Sequence, residues 1–326
     1  MSLDGANRTY ITLLLFAAAL YVALAAASCA LLTLLVYRLA TDASAVTDGR
    51  WWAVILSVAF LVINIGGAAI GVNALASQLV GTRRLAGRVD GNAIAQSPEV
   101  MAAAERAGLT ERVVVVDDEQ QYSFTFGALQ RRVAVSRGLA EAMSPDELDA
   151  VLVHERYHVR NFDPLKVVVA RSLSRGFFLM PVIGGLESRY VAMRELAADR
   201  VALESKGRRA LAGALMKVVK GPAWSELRTA AAIGGPELLD VRIDQLESGA
   251  HPEPDRLPGR AIAASALAVV LLLAGFAAAV FALGGARDAL DSGAGASNGA
   301  ATAAMAVLCA LPWAGAAWVF LRWARG

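Results

Sequence analysis

Four long apolar stretches, at residues 10–37, 51–80, 261–283 and 300–321, constrain this chain more than any other feature. Each can cross a ~30 Å hydrocarbon core, which takes roughly 20 helical residues. A backbone surrounded by lipid must satisfy its own hydrogen bonds, so stretches of this kind specify helices. Composition agrees, since 56% of the 326 residues are hydrophobic and 18% are charged, against about 25% charged in soluble domains. A mainly α membrane protein with four transmembrane helices is expected. The first stretch has Arg8 before it and is too long for a cleaved signal segment, so it reads as an anchor. Cys29 and Cys309 fall inside spans and indicate no extracellular disulfide framework.

Charge placement orients the chain. Arg83, Arg84 and Arg88 follow the second span, and Arg322 and Arg325 follow the last. Segment 286–299 sets Arg287 against Asp288 and Asp291, and segment 38–50 is neutral. The excess of basic residues marks the cytoplasmic side, so both termini and the large middle segment are expected in the cytoplasm of a bacterial cell with a multi-pass inner-membrane protein. Three regions result: residues 1–82 with two spans, residues 83–258 as a cytoplasmic domain, and residues 259–326 with two more spans.

The middle region is long enough for one compact domain with its own core. A helix is expected over 98–108, then β-rich runs at 113–116, 122–126 and 132–136 that form a small sheet. Ser144-Pro145-Asp146-Glu147 combines an N-cap serine, a proline at the first helical position and a glutamate at the third. This capping box opens a helix over 148–160. Asp163-Pro164 breaks it, and a second helical run starts at Leu165. The apolar piece 176–186 is too short to span and contains Pro181, Gly184 and Gly185; contact with the membrane interface is favoured over a core turn. Helices at 187–204, 208–219 and 236–248 follow, and 251–258 is a proline-rich linker holding His251.

Two of the three histidines lie in His154-Glu155-Arg156-Tyr157-His158. On a helix, residues i and i+4 share a face, so both imidazoles can bind one Zn²⁺ while Glu155 reaches its water. A catalytic zinc takes a third protein ligand, a His, Asp or Glu from another element. Glu195 is the best candidate, because Asp199 one turn later faces the same way and can accept a proton from a ligand imidazole. Asp163 is read first as a helix terminator, with an active-site role as the alternative. Tyr157, Tyr190, Arg194 and Arg200 are candidates for an assisting electrophile, and spacing does not choose among them. Strand 122–126, if it lies at the sheet edge, could pair with an extended substrate; a buried core strand would look the same. Gly67 and Gly71 in the second span favour close helix packing within one chain.

HERYH followed by Asp163 and later by Glu195-Leu196-Ala197-Ala198-Asp199 resembles the membrane gluzincins: the HtpX-like and CAAX-prenyl peptidases and the BlaR/MecR type of antirepressor peptidase. The likeness covers residues 98–250 and extends to the passage Ser144 to Leu148 and to Asp240-Val241-Arg242-Ile243. It implies a zincin-like α+β peptidase domain with His154, His158 and Glu195 as zinc ligands, Glu155 as catalytic base and Asp199 behind a ligand imidazole. The implied activity is zinc-dependent endopeptidase cleavage. The implied partners are a protein or peptide substrate, the lipid bilayer and, for the BlaR type, a cytoplasmic repressor; direct nucleic-acid binding is not expected. Two departures stand out. HtpX-like enzymes carry a longer membrane-spanning hairpin between the motifs. BlaR-type receptors end in an extracellular penicillin-binding sensor, whereas only Arg322 to Gly326 follow the last span here, so β-lactam sensing is not implied.

Overall fold

The computed structural model describes residues 5–41, 51–218, 236–248 and 257–283. In chain order its elements are α1 (Gly5–Thr41), α2 (Trp51–Gly91), β1 (Ala93–Ile94), α3 (Pro98–Ala107), β2 (Val113–Val116), β3 (Ser123–Phe126) and β4 (Arg132–Ser136). They are followed by α4 (Arg137–Ala142), α5 (Pro145–Asn161), α6 (Asp163–Gly176), α7 (Pro181–Lys206), α8 (Arg208–Val218), α9 (Pro236–Ser248) and α10 (Gly259–Leu283). Helix dominates. Among the described residues α1, α2 and α10 are long and apolar enough to cross a membrane. The expected fourth span at 300–321 lies outside the described residues, as does the linker at 251–256.

The chain divides into two compact units: Met1–Tyr10 with Asn73–Ser172 and Leu186–Arg256, and Ile11–Val72 with Leu173–Gly185 and Leu257–Gly326. In the second, apolar unit, Leu31, Phe60, Phe276 and Val280 form a buried cluster, with the Phe60 and Phe276 rings 5.9 Å apart. Many other large apolar side chains there are exposed, among them Leu15, Ile65 and Leu271, as lipid-facing residues must be. Gly67 and Gly71 serve packing within the chain. A Cβ on Gly67 would stand 2.7 Å from the Gly176 carbonyl oxygen, so only glycine allows that approach. The apolar piece 176–186 is divided between the end of α6, a turn and the start of α7, which begins at Pro181 rather than at 187. Phe178 and Leu179 are exposed in that turn.

In the first unit a four-stranded sheet has the order β1-β2-β4-β3, with β2 parallel to β4 and both outer pairs antiparallel. Three strands are expected from sequence; the fourth, β1, is a two-residue exposed pairing with no apolar alternation to announce it. Strand alternation gives the sheet two faces. On one, Val113, Val115, Val133 and Val135 bury against α3 and α5 through Val100, Ala104, Leu148 and Leu152. On the other, Phe124, Phe126 and Ala134 pack with Leu85 and Val89 from the distal part of α2. Gly127, at φ 87°, turns β3 back toward β4, where a Cβ would collide with the Gln130 carbonyl.

The helix that carries the histidine motif begins as expected. Ser144 accepts from the Glu147 amide while Glu147 Oε2 accepts from the Ser144 amide, and Pro145 takes the first helical position. It ends at Phe162, a non-glycine residue in the left-handed region at φ 59°, which costs about 1–2 kcal/mol. The Arg131 guanidinium stacks over the Phe162 ring, 3.2 Å from its centroid, and helps hold that turn.

Candidate metal centre

Five elements bring polar side chains to one place. Helix α5 presents His154, Glu155 and His158; α7 presents Arg194, Glu195 and Asp199; α9 presents Arg242; β3 presents Ser123 and Thr125; and α6 opens with Asp163. Gln245 Nε2 donates to the Leu196 carbonyl at 3.0 Å and so fastens α9 to α7. The left-handed turn at Phe162 reverses the chain so that Asp163 comes back over the motif instead of pointing away from it.

The two imidazoles face each other through their Nε2 atoms, 3.1 Å apart. His158 Nδ1 donates to Asp163 Oδ2 at 2.7 Å, and His154 Nδ1 stands 2.9 Å from Asp199 Oδ1. An ionised carboxylate only accepts, so each Nδ1 takes the ring proton and each Nε2 turns a lone pair inward. Glu195 completes the convergence, with Oε2 3.6 Å from His154 Nε2 and Oε1 3.7 Å from His158 Nε2. Three lone-pair donors in one space are unfavourable without a cation between them. Ligand atoms around a tetrahedral zinc with ~2.0–2.1 Å bonds lie about 3.3 Å from each other, and this set matches that spacing.

Charge gives a second test. Glu155, Asp163, Glu195 and Asp199 are buried carboxylates, and among the described residues Arg194 and Arg242 are the guanidinium groups paired with them. With neutral imidazoles that is a formal excess of two negative charges in a region of low dielectric, which a divalent ion balances. The residues fit a metal of that charge. When no cation is present a proton takes its place: burial opposes charge on His154, but hydrogen bonding by Asp199 and Glu195 outweighs it and raises the pKa from 6.5 to about 9. Burial likewise opposes charge on Glu195, yet Arg194, His158, His154 and Arg242 hold its carboxyl well below the usual range. Asp199 is lowered to about 2, burial being overcome by Arg242, which donates Nε at 2.6 Å and Nη2 at 2.8 Å to its two oxygens.

Glu155 stands apart from the converging trio. Its Oε1 accepts from Ser123 Oγ at 2.9 Å and its Oε2 from Thr125 Oγ1 at 2.7 Å, so both oxygens are held from β3. That strand is at the sheet edge, and it has no second neighbour among the described strands. The Ser136 amide donates to the Tyr122 carbonyl opposite it, so by alternation the backbone groups of Ser123 and Thr125 point away from β4, toward the free edge. A pocket opens between this edge and the histidines. Its polar wall is His154, Glu155, Arg194 and Glu195, and its apolar wall is Val151, Leu211 and Leu215.

His154, Glu155, His158, Glu195 and Asp199 are thus all at one site. The sequence reading of Asp163 as a terminator understates it, because the same turn that ends α5 also places its carboxylate on His158. Ser123, Thr125 and the role of Arg242 escape sequence reasoning. Serine and threonine are ordinary in a strand, and only the register puts their hydroxyls on the α5 face. Arg242 lies on a separate helix, and no spacing rule ties it to Asp199.

Comparison with known proteins adds a family. The model described as BlaR1 peptidase M56 matches residues 16–246. A protease HtpX homolog from Herminiimonas arsenicoxydans is 35% identical over 100 residues, covering 29% of this chain and 34% of that protein. One from Streptococcus equi subsp. equi is 34% identical over 91 residues, covering 27% and 31%. The protease HtpX of Shewanella halifaxensis is 27% identical over 175 residues, covering 49% and 60%. The chain therefore spans about a third of the length of the first of these relatives.

Proposed function

The chain belongs to the BlaR1 peptidase M56 family, and from that membership we propose that it is an integral-membrane, zinc-dependent endopeptidase of the bacterial inner membrane, acting on the cytoplasmic side. The observation that carries the reading is the convergence of His154, His158 and Glu195 beside a buried glutamate. In this reading those three hold Zn²⁺, Asp199 and Asp163 orient the two imidazoles, and Glu155 is the general base. Residues 83–258 form a zincin-like domain, 1–82 and 259–326 supply four membrane helices, and the turn with Phe178 and Leu179 touches the bilayer.

Zinc, when bound, acidifies a water and polarises the scissile carbonyl. Glu155 takes the proton of the attacking water and delivers it to the leaving amine as the carbon–nitrogen bond breaks. Ser123 and Thr125 hold its carboxylate toward the reacting centre until then. The substrate adds as an extended strand along β3, where the outward backbone groups of Ser123 and Thr125 are its partners. The edge position of β3 supports this. A second reading rests on the sequence resemblance alone: a membrane signal transducer of the BlaR type that binds or cleaves a cytoplasmic repressor.

Glu155→Gln tests the enzyme. In purified full-length protein it should keep one zinc per chain and lose cleavage of casein and of itself by about 10²–10⁴-fold. Equal cleavage by wild type and variant would sink the role of Glu155, and absence of zinc from both would sink the metal reading.

A further inference from the structure

Hydrolysis at this site needs a group to meet the negative charge that grows on the carbonyl oxygen, and sequence leaves four candidates. The structure separates them. Tyr190 donates its hydroxyl to Asp163 at 3.1 Å and packs at a tilt against Tyr10, with ring centroids 5.0 Å apart. Tyr157 packs with Ala197 and Ala198, and neither it nor Arg200 is on the pocket wall. Arg242, which is on the wall, spends Nε and Nη2 on Asp199.

Arg194 differs from all of these. It is on the pocket wall, its side chain is 6% exposed, and its one ion pair among the described residues is Nη2 to Glu195 Oε1 at 3.1 Å. Its Nε is buried with no hydrogen-bond partner among the described residues. Adjacent residues on a helix do not face each other, yet Arg194 folds over beside Glu195 and lines the same pocket as the histidines and Glu155. A buried guanidinium with donors to spare is a strong partner for an acceptor that comes beside it. Arg194 lines the pocket, and a substrate oxygen that enters beside the converging imidazoles is an acceptor for its guanidinium.

We propose that Arg194 is a catalytic residue: its guanidinium donates to the scissile carbonyl oxygen and strengthens that bond as the oxygen becomes an oxyanion. This rests on the peptidase reading above. Arg194 neither gains nor loses a proton; it supplies a fixed charge and a fixed donor at the place where charge develops. Its contact with Glu195 aims the guanidinium.

The test uses zinc-loaded full-length protein as wild type, Arg194→Lys and Arg194→Gln. The probes are casein and a phosphinic dipeptide, whose tetrahedral phosphorus carries the oxygens of the hydrolytic intermediate. Arg194→Gln should retain its zinc, bind the phosphinic dipeptide about 100-fold more weakly, and lose kcat about 10²–10³-fold with KM within about threefold of wild type. Arg194→Lys keeps the charge without the fork and should fall between. Phosphinate affinity unchanged in both variants at full zinc occupancy overturns the assignment. So does a loss that disappears once the variants are saturated with zinc, because Arg194 would then only support Glu195. Failure of the peptidase reading looks different: zinc-loaded wild type would itself neither cleave casein nor bind the phosphinate, and the role of Arg194 would fall with it.

Discussion

The two imidazoles of the site are supported in opposite ways. His154 leans on Asp199, a carboxylate from α7, 45 residues away in sequence, that is gripped through both oxygens by Arg242. His158 leans on Asp163, five residues away, whose other oxygen accepts from the neutral Tyr190 hydroxyl. One arm is a long-range chain of full charges, and the other is a local turn closed by a phenol. The charged arm knits α5, α7 and α9 together, so its loss is a loss of fold. The neutral arm depends on the conformation of one residue, Phe162, so its loss is a loss of alignment.

The sharpest break comes from Arg242→Met. It leaves Asp199 buried without its cation and should destabilise the protein by about 3–5 kcal/mol, read as a lower midpoint in chemical denaturation. If the variant unfolds at the wild-type midpoint, the charged arm is no more structural than the neutral one.

Proton competition distinguishes the arms more finely. Below about pH 9 the metal-free protein holds a proton on His154, which zinc must displace. Apparent zinc affinity should therefore rise about tenfold per pH unit up to that point and then level off. The same proton stabilises the metal-free fold below the ordinary histidine pKa of 6.5, and that contribution is lost as pH rises through about 9. Asp199→Asn should lower the levelling point, whereas Asp163→Asn should leave it in place. A shift caused by Asp163→Asn instead would reverse the assignment. Affinities measured against a competing chelator from about pH 6 to about pH 10, roughly half a unit apart, give the slope and the levelling point.

Tyr190→Phe is the mildest probe. It removes one neutral hydrogen bond from Asp163 and should cost about 1 kcal/mol of stability, with a loss of zinc affinity well short of the 10–100-fold typical when a carboxylate behind a metal ligand is removed. A loss as large as that of Asp163→Asn would show that the hydroxyl, and not the turn, sets the position of the carboxylate.

The two arms also differ in how far they can be read without a structure. Helix α5 was legible down to its cap, because Ser144, Pro145 and Glu147 act within one turn of each other. Glu195 and Asp199 could be chosen because helical periodicity relates them to each other. Asp163 was visible but misweighted: ending a helix and supporting a histidine look like rival roles until Phe162 is seen in the left-handed region. Arg242 and the hydroxyls of Ser123 and Thr125 depend on how helices and strands are brought together, and one sequence contains no local trace of that. The strand order β1-β2-β4-β3 is of the same kind. Each strand competes for neighbours, and the winning pairing is decided by the packing of the whole sheet.

In the proposed mechanism, where a substrate adds along β3, that short edge strand sets terms for whatever is cut. Four residues of β-strand extend about 13 Å, and a chain that pairs along them must first be drawn out straight over that length. A target already folded into helix or sheet has to open there before it can be held. Its rate of cleavage then tracks the free energy of that opening and falls about tenfold for every 1.4 kcal/mol by which the segment is stabilised. Selection by such an edge is selection for slackness, so a partner that grips and straightens the same segment protects it, and one that loosens it condemns it.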